Sequence, residues 1–326
     1  MAVEQYLHLS SGHKMPILGL GTWMAKEEET IAAVNEALAM GYRHIDTAPV
    51  YLNEQAIGGV LKEWISSGKI KRSELFITTK LPAPGGNNHE LVELTLRKSL
   101  QDLQLDYIDL YLIHTPFTVV LADDNGGDMK RNADGSVVID GSTDHIGIWK
   151  EMEGLVEKGL AKSIGISNFN IKQIERLRKH CKIQPAVLQI EYHVYLQQPD
   201  LIEYCRSANI AITAYSPLGS KGVANLDKMA GVKRDLPDLF DIPVVKEIAK
   251  KYNKSAAQIL LRWIVDKGIS VIPKSTNSKR MHENKDIFDF KLNQQEIEQL
   301  NKLDANIRVV DFGFFKGINK HPEFPF

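Results

Sequence analysis

Between residues 46 and 114 the chain carries four side chains able to give or take a proton: Asp46, Tyr51, Lys80 and His114. Three of them close short apolar runs. Asp46 ends His44-Ile45-Asp46, Lys80 follows Leu75-Phe76-Ile77-Thr78 by two residues, and His114 follows the run from Tyr107 to Ile113. Tyr51 lies five residues beyond Asp46, in the next connection. A carboxylate, a phenol, an ammonium and an imidazole are the groups that general acid–base chemistry draws on. Singly, each has a plain structural reading: an aspartate after a strand caps a helix, a loop tyrosine is exposed, a lysine is solvated. On three consecutive strand ends, however, the four side chains project onto one rim.

The elements that would build that rim recur along the chain. Eight β-branched runs are legible: Ile17-Leu18-Gly19-Leu20, His44 to Asp46, Leu75 to Thr78, Tyr107 to Ile113, Ser163 to Ile166, Val187 to Ile190, Ala211 to Ala214, and Ser270 to Ile272. Amphipathic segments separate them. Thr30 to Met40 spaces Ile31, Val34 and Leu38 on one face, and Leu91 to Leu103 repeats Val92, Leu96, Leu100 and Leu103. Asn170 is placed to cap a helix over Ile171 to Lys179. Strand–helix alternation implies a parallel sheet under helices, and eight units fit a closed (β/α)8 barrel of the α/β class, one domain over residues 1–326. Two connections exceed the usual loop length of about 15 residues: Thr118 to His145 and Gly219 to Asp241. Both leave carboxyl ends of strands, the face on which barrel active sites lie. Phe312, Phe314, Phe315, Phe324 and Phe326 make the tail aromatic enough to fold back over that face.

Bulk properties narrow the function classes. Of 326 residues, 43% are hydrophobic, and 40 Lys plus Arg face 41 Asp plus Glu, a formal net charge of -1. That balance gives no electrostatic reason to expect nucleic acid or an anionic membrane as partner. Cys181 and Cys205 have neither zinc-site nor redox spacing and read as reduced thiols, so no metal is expected. The first 16 residues lack the basic flank and apolar run of a signal peptide, and no stretch approaches the roughly 20 apolar residues of a membrane span. A cytoplasmic monomer acting on small molecules is the expectation. Asn253-Lys254-Ser255 matches a glycosylation sequon, but Ser255 with Gln258 also forms a capping box before Ile259-Leu260-Leu261, and the cap is preferred.

The wording around the four residues is more specific. Gly41-Tyr42-Arg43-His44-Ile45-Asp46-Thr47-Ala48, with Tyr51 and Asn53-Glu54, resembles the signature of the aldo-keto reductases. Thr79-Lys80, Leu110-Tyr111-Leu112-Ile113-His114, Gly165-Ile166-Ser167-Asn168-Phe169, Ala214-Tyr215-Ser216-Pro217-Leu218-Gly219 and Ile272-Pro273-Lys274-Ser275, with Arg280 and Glu283-Asn284, extend the match in family order. Within the family the chain is similar to insect carbonyl reductases, a group that includes 3-dehydroecdysone reductases. The resemblance implies a catalytic tetrad of Asp46, Tyr51, Lys80 and His114 that reduces an aldehyde or ketone with NADPH. Reduction needs a hydride at carbon and a proton at oxygen. A phenol of pKa about 10 is a weak donor at neutral pH. The implied remedy is a Lys80 ammonium that lowers the value, with Asp46 holding Lys80 and His114 orienting the carbonyl. His114 is the alternative acid, and a relay between the two remains open.

No GxGxxG opens a helix after a strand: Gly19-Leu20-Gly21 continues with Thr22-Trp23-Met24, which disfavours a Rossmann dehydrogenase. Lys274, Ser275, Thr276 and Arg280 instead follow the eighth strand at the start of a helix, where end amides and two cations suit a phosphate. The resemblance assigns this segment to the 2′-phosphate of NADPH and Glu283 and Asn284 to the adenine. Ser167, Asn168 and Gln189 then meet the carboxamide, Tyr215 stacks on the nicotinamide, and Thr22, Trp23, Ser216, Leu218 and Ser220 complete the groove.

Departures from the family wording bear on substrate. Thr115 follows His114, and Pro82 follows Leu81, where relatives carry Trp. Trp23, Val50, Tyr51, His114, Thr115 and Phe312 are then the expected substrate wall, wide enough for a bulky apolar ketone such as a steroid. Lys221-Gly222 offers no acid to clasp the cofactor from the loop after the seventh strand. Two competing readings are a nucleotide-binding subunit or structural protein with little turnover, and a barrel aldolase using Lys80 as a Schiff base.

Overall fold

The β-branched runs become strands, and the computed structural model describes residues 5–83, 88–122, 129–229, 231 and 237–326. In chain order the strands are β1 (Tyr6–His8), β2 (Lys14–Pro16), β3 (Leu20–Gly21), β4 (His44–Asp46), β5 (Phe76–Leu81), β6 (Ile108–Ile113), β7 (Thr118–Val119), β8 (Ile139–Asp140), β9 (Ala161–Ser167), β10 (Val187–Glu191), β11 (Ala211–Tyr215) and β12 (Ser270–Val271). The helices are α1 (Glu27–Ala39), α2 (Glu54–Ser66), α3 (His89–Leu103), α4 (His145–Glu157), α5 (Ile171–Arg178), α6 (Pro199–Ser207), α7 (Lys221–Met229), α8 (Pro243–Tyr252), α9 (Ala256–Val265), α10 (Ser278–Lys285) and α11 (Gln294–Asn301).

Eight strands pair in the order β3-β4-β5-β6-β9-β10-β11-β12, each neighbour parallel. All eight expected runs hold one of them. The sheet closes on itself, because Leu18 bridges Val271 and Gly21 bridges Lys274 in parallel. At that seam Gly19 N donates to Val271 O and Val271 N to Ile17 O, both at 2.8 Å. A Cβ on Gly21 would stand 2.6 Å from the Ile272 carbonyl oxygen, so only glycine lets the two strands approach. The result is the (β/α)8 barrel.

Helices cover the strands with the faces that their spacing predicts, except that Ile31 of α1, expected on the buried face with Val34 and Leu38, is exposed. Val92, Leu96, Leu100 and Leu103 of α3 are all buried, as are Ala33, Val34, Ala37 and Leu38 of α1. The Asn170 side chain accepts from Gln173 N at 3.0 Å and caps α5. Ser255 caps α9, with Gln258 returning a 2.9 Å bond to the Ser255 amide, so the sequon serine is spent as a helix cap.

Three features depart from the sequence reading. The first is an antiparallel hairpin, β1 with β2, ahead of the barrel. It drives Met15, with no exposed surface, into a cluster with Leu110, Leu112 and Val187 and floors the amino end of the barrel. The second is an antiparallel arm in the connection after β6, where β7 pairs with β8 and further bridges join Leu121 to Met129 and Arg131 to Val137; residues 123–128 lie outside the described residues. The third is helix α7, which occupies much of the Gly219 to Asp241 connection; residues 230 and 232–236 lie outside the described residues.

The tail covers the carboxyl end as expected. Val309, Val310, Phe312 and Ile318 form a second apolar core with Phe117, Val119, Val137 and Val223. Phe312 meets Phe117 edge-on, with centroids 5.0 Å apart.

Candidate active site

Asp46 ends β4, and Pro49 starts a one-turn 3-10 helix, Pro49–Tyr51, that brings Tyr51 back over the strand end. Lys80 lies in β5 and His114 directly follows β6. The structure brings all four together. Lys80 Nζ donates to Asp46 Oδ1 at 2.6 Å, to the Thr47 carbonyl at 2.8 Å and to Tyr51 Oη at 3.3 Å. Tyr51 Oη stands 3.5 Å from His114 Nε2. Gln189 Nε2 donates to the second Asp46 oxygen at 2.8 Å. Lys80 has no exposed surface at all, and its charge is screened by neighbours alone.

Burial sets the proton affinities. It pushes Lys80 below the usual lysine range, against the opposing pull of Asp46. Burial also holds the Tyr51 phenol well above its ordinary value, and the Asp46 charge acts in the same direction. The expectation that Lys80 lowers the resting phenol pKa is therefore corrected. The reason is burial: a phenolate taken out of water is disfavoured, and the Asp46 carboxylate disfavours it further. His114 is held well below its ordinary value by burial, with Lys80 adding to the effect, so its imidazole is neutral at pH 7.

A cleft of about 1520 Å³ opens above this group. Its lining takes in Thr22, Trp23, Asp46, Val50, Tyr51, His114, Thr115, Ser167, Asn168 and Gln189, then Tyr215, Ser216, Leu218 and Ser220, and finally Lys274, Ser275, Arg280, Glu283 and Asn284. Phe312, Phe314 and Phe315 line it from the tail. Such a volume exceeds the roughly 300–1,000 Å³ of a single-ligand pocket and can hold a dinucleotide beside a substrate. Two expected site residues do not line it: Lys80, which sits behind Tyr51 and Asp46, and the half-buried Thr276. Enclosure of Lys80 removes the Schiff-base reading, since no carbonyl can reach its nitrogen.

The polar groups of the cleft form a chain. Tyr215 Oη donates to Asn168 Oδ1 at 2.7 Å, and Asn168 Nδ2 donates to the His114 carbonyl at 2.9 Å and to Ser167 Oγ at 3.1 Å. Asn168 sits at φ +65°, a left-handed turn that asparagine tolerates better than most residues. At the far end Asn277 caps α10 by accepting from Arg280 N at 3.0 Å. Lys274 and Arg280 are exposed, and among the described residues neither has an acidic partner. Two unpaired cations beside a helix N-terminus fit a phosphate, and the amides and ring at Ser167, Asn168, Gln189 and Tyr215 fit a nicotinamide. Among the described residues no group of three or more His, Cys, Asp or Glu is placed to hold a metal, and no helix is long and apolar enough to cross a membrane.

A family model for the aldo/keto reductases matches residues 17–305. The chain belongs to the aldo/keto reductase family. Human aldo-keto reductase family 1 member A1 is 45% identical over 305 residues, which cover 93% of this chain and 90% of that protein. The mouse member of the same name is 46% identical over the same shares. A solved structure of the aldose reductase from Schistosoma japonicum superposes with a TM-score of 0.88 at 39% identity, covering 99% of both chains. This aldo/keto reductase is an NADP-dependent oxidoreductase acting on aldehydes and ketones.

The sequence reading missed several supports of the site. Asn53 accepts from Thr47 Oγ1 at 3.0 Å and donates to the Thr22 carbonyl at 2.9 Å, tying the Tyr51 turn to β3. Glu54, buried, accepts from Thr79 Oγ1 at 2.6 Å and Ser99 Oγ at 2.9 Å, and burial holds its carboxyl above the ordinary range. Both stand within the quoted Asn53-Glu54 wording, which was the available signal. Phe117, against Phe312, fills space beside Thr115, whose hydroxyl donates to the Phe117 carbonyl at 2.8 Å.

Proposed function

We propose that the enzyme reduces bulky apolar carbonyls with NADPH and that Tyr51 delivers the proton. One observation carries the assignment: Tyr51 alone among the tetrad both touches Lys80 and presents its hydroxyl to the cleft next to His114. When bound, the reduced nicotinamide supplies the hydride to the carbonyl carbon. A carbonyl oxygen lodged between Tyr51 Oη and His114 Nε2 accepts a hydrogen bond from each. Neutral His114 has no surplus proton to release, so it orients the substrate while Tyr51 acts as acid. As the alkoxide takes the proton, negative charge passes to Tyr51 Oη, 3.3 Å from the Lys80 ammonium, which stabilises it at that moment rather than at rest. Asp46, locked by Lys80 and Gln189, keeps the ammonium aimed.

Lys274, Ser275 and Arg280 hold the 2′-phosphate in this reading, Glu283 and Asn284 the adenine, and Tyr215 the nicotinamide face. Trp23, Val50, Thr115 and Phe312, with Phe314 and Phe315, make a tall apolar wall that suits a polycyclic ketone, a steroid such as 3-dehydroecdysone among them. We infer a cytoplasmic, one-domain monomer; the two free cysteines support the cytoplasmic placement. The test is NADPH oxidation followed with a steroid-like ketone and with a three-carbon aldehyde. A lower KM for the ketone is expected; a preference for the aldehyde in both kcat and KM contradicts the wide-pocket reading.

A further inference from the structure

Glu191 ends β10 in register with Tyr215 and has no exposed surface, yet it takes no part in the proton chemistry above. Its carboxylate is filled by three donors. Oε1 accepts from His193 Nε2 at 2.8 Å and from Val309 N at 2.7 Å, while Oε2 accepts from Val310 N at 2.7 Å. Two of those donors are backbone amides at the point where the tail crosses the barrel end. Two residues later Phe312 turns into the cleft at φ +60°, packed between the rings of Phe117 and Phe326, with centroids at 5.0 and 5.8 Å. The far end of the tail has its own anchor, since Glu323 accepts from Arg176 at 2.7 Å and from Gln173 at 2.9 Å.

We propose that Glu191 is a positioning residue for specificity: its buried carboxylate fixes the tail at Val309 and Val310 and thereby sets where Phe312 stands in the substrate wall. A charged acceptor is needed because a carboxylate takes hydrogen bonds on both oxygens, whereas an amide in its place turns one N–H donor toward a donor. The same residue adjoins the Tyr215 platform by strand register, so the wall and the platform beneath it share one rigid support. Between the two anchors the tail is a bridge: the near anchor holds Val310, two residues before Phe312, and the far one holds the segment whose Phe326 stacks on Phe312.

This rests on the substrate pocket proposed above, and the test separates the two. Glu191→Gln, Phe312→Ala and the double variant are compared for ketone KM, three-carbon aldehyde kcat/KM, NADPH binding by fluorescence titration, and amide hydrogen exchange at residues 309–315. Glu191→Gln is expected to raise ketone KM about tenfold and speed exchange at Val309 and Val310. Aldehyde kcat/KM and NADPH affinity stay within about twofold. In the Phe312→Ala background the added effect of Glu191→Gln on ketone KM vanishes, because coupled residues are not additive. Equal losses on both carbonyls, full additivity with Phe312→Ala, or unchanged exchange each overturn the positioning role. Phe312→Ala with an unmoved ketone KM overturns the pocket reading and the specificity claim with it, whatever the exchange shows.

Discussion

At one end of the cleft Lys80 has no exposed surface and its ammonium meets Asp46, Thr47 and Tyr51; at the other, Lys274 and Arg280 are exposed without an acidic partner among the described residues. The first cation is placed before any ligand arrives, held by strands whose register fixes Asp46 against Thr78 and Lys80 against Leu112. The second pair waits in water. Preorganisation belongs where charge develops during a reaction, because a site that must reorganise at that moment loses the benefit. Exposed charge belongs where a charged ligand must first be found, since it acts at long range and gives way to salt. The contrast predicts that substitutions at the buried end change rate and stability, whereas those at the exposed end change affinity.

The largest effect is expected from Tyr51→Phe, which should lower single-turnover reduction by several orders of magnitude and leave NADPH affinity nearly unchanged. Substantial turnover in that variant would move the acid elsewhere, to His114 or to water. Lys80→Met comes next. It removes the cation from Asp46, which is 2% exposed, and breaking a buried pair costs about 3–5 kcal/mol. Chemical denaturation should show a loss of that order alongside the loss of rate. An intact midpoint would mean that water enters to solvate Asp46.

Acid should strike the barrel interior, where His44 packs on Phe76, as well as the buried end of the cleft. Burial holds His44 down at about 4 and His114 well below its ordinary range, while both titrate near 6.5 in the unfolded chain. Below about pH 6.5 the unfolded chain therefore binds more protons, and stability falls as pH drops toward 4. His44 alone accounts for about 3 kcal/mol across that window. Tm measured from pH 7 to 4.5 should fall steadily, and less steeply in His44→Gln; a flat wild-type profile contradicts the assignment.

At the exposed end, Arg280→Ala should weaken NADPH binding about ten- to a hundredfold, the worth of one charge-assisted hydrogen bond of about 1.5–3 kcal/mol. NADH binding should hardly move, and the salt dependence of NADPH binding should shrink. Equal losses for both nucleotides would make Arg280 a structural residue. The smallest effect is reserved for Thr115→Trp. It fills the wall beside Phe117 and should cut bulky-ketone kcat/KM several-fold while sparing the three-carbon aldehyde; no change would show that this wall does not border the substrate.

Much of the barrel was legible because its signals are local. Each strand is a short apolar run, each cap a residue and its partner three positions on, and the tetrad a titratable group after a run. What was hidden depends on distant partners. The β1–β2 hairpin has only three residues a side and gains its place from Met15 entering the barrel floor. Helix α7 was read as loop because glycine and asparagine interrupt its pattern. Glu191 carries no signal in the sequence, since two of its partners are main-chain amides in the tail. The phenol of Tyr51 misled for another reason: a nearby ammonium suggests a lowered pKa, and only the depth of burial reverses the sign.

The barrel seam has a consequence for how the chain is made. Strand β3 leaves the ribosome well before its closing partner around Val271, which follows roughly 250 residues later in the chain. Until then the facing edges of β3 and β12 are unpaired, and Gly19 and Gly21 leave the β3 side with little side-chain cover. Closure is thus a late, long-range event of the kind that slows folding and exposes intermediates to aggregation. The Lys274 and Arg280 segment comes just after the seam, so no ligand that needs those cations can bind and stabilise the chain before the last strand of the ring has been made.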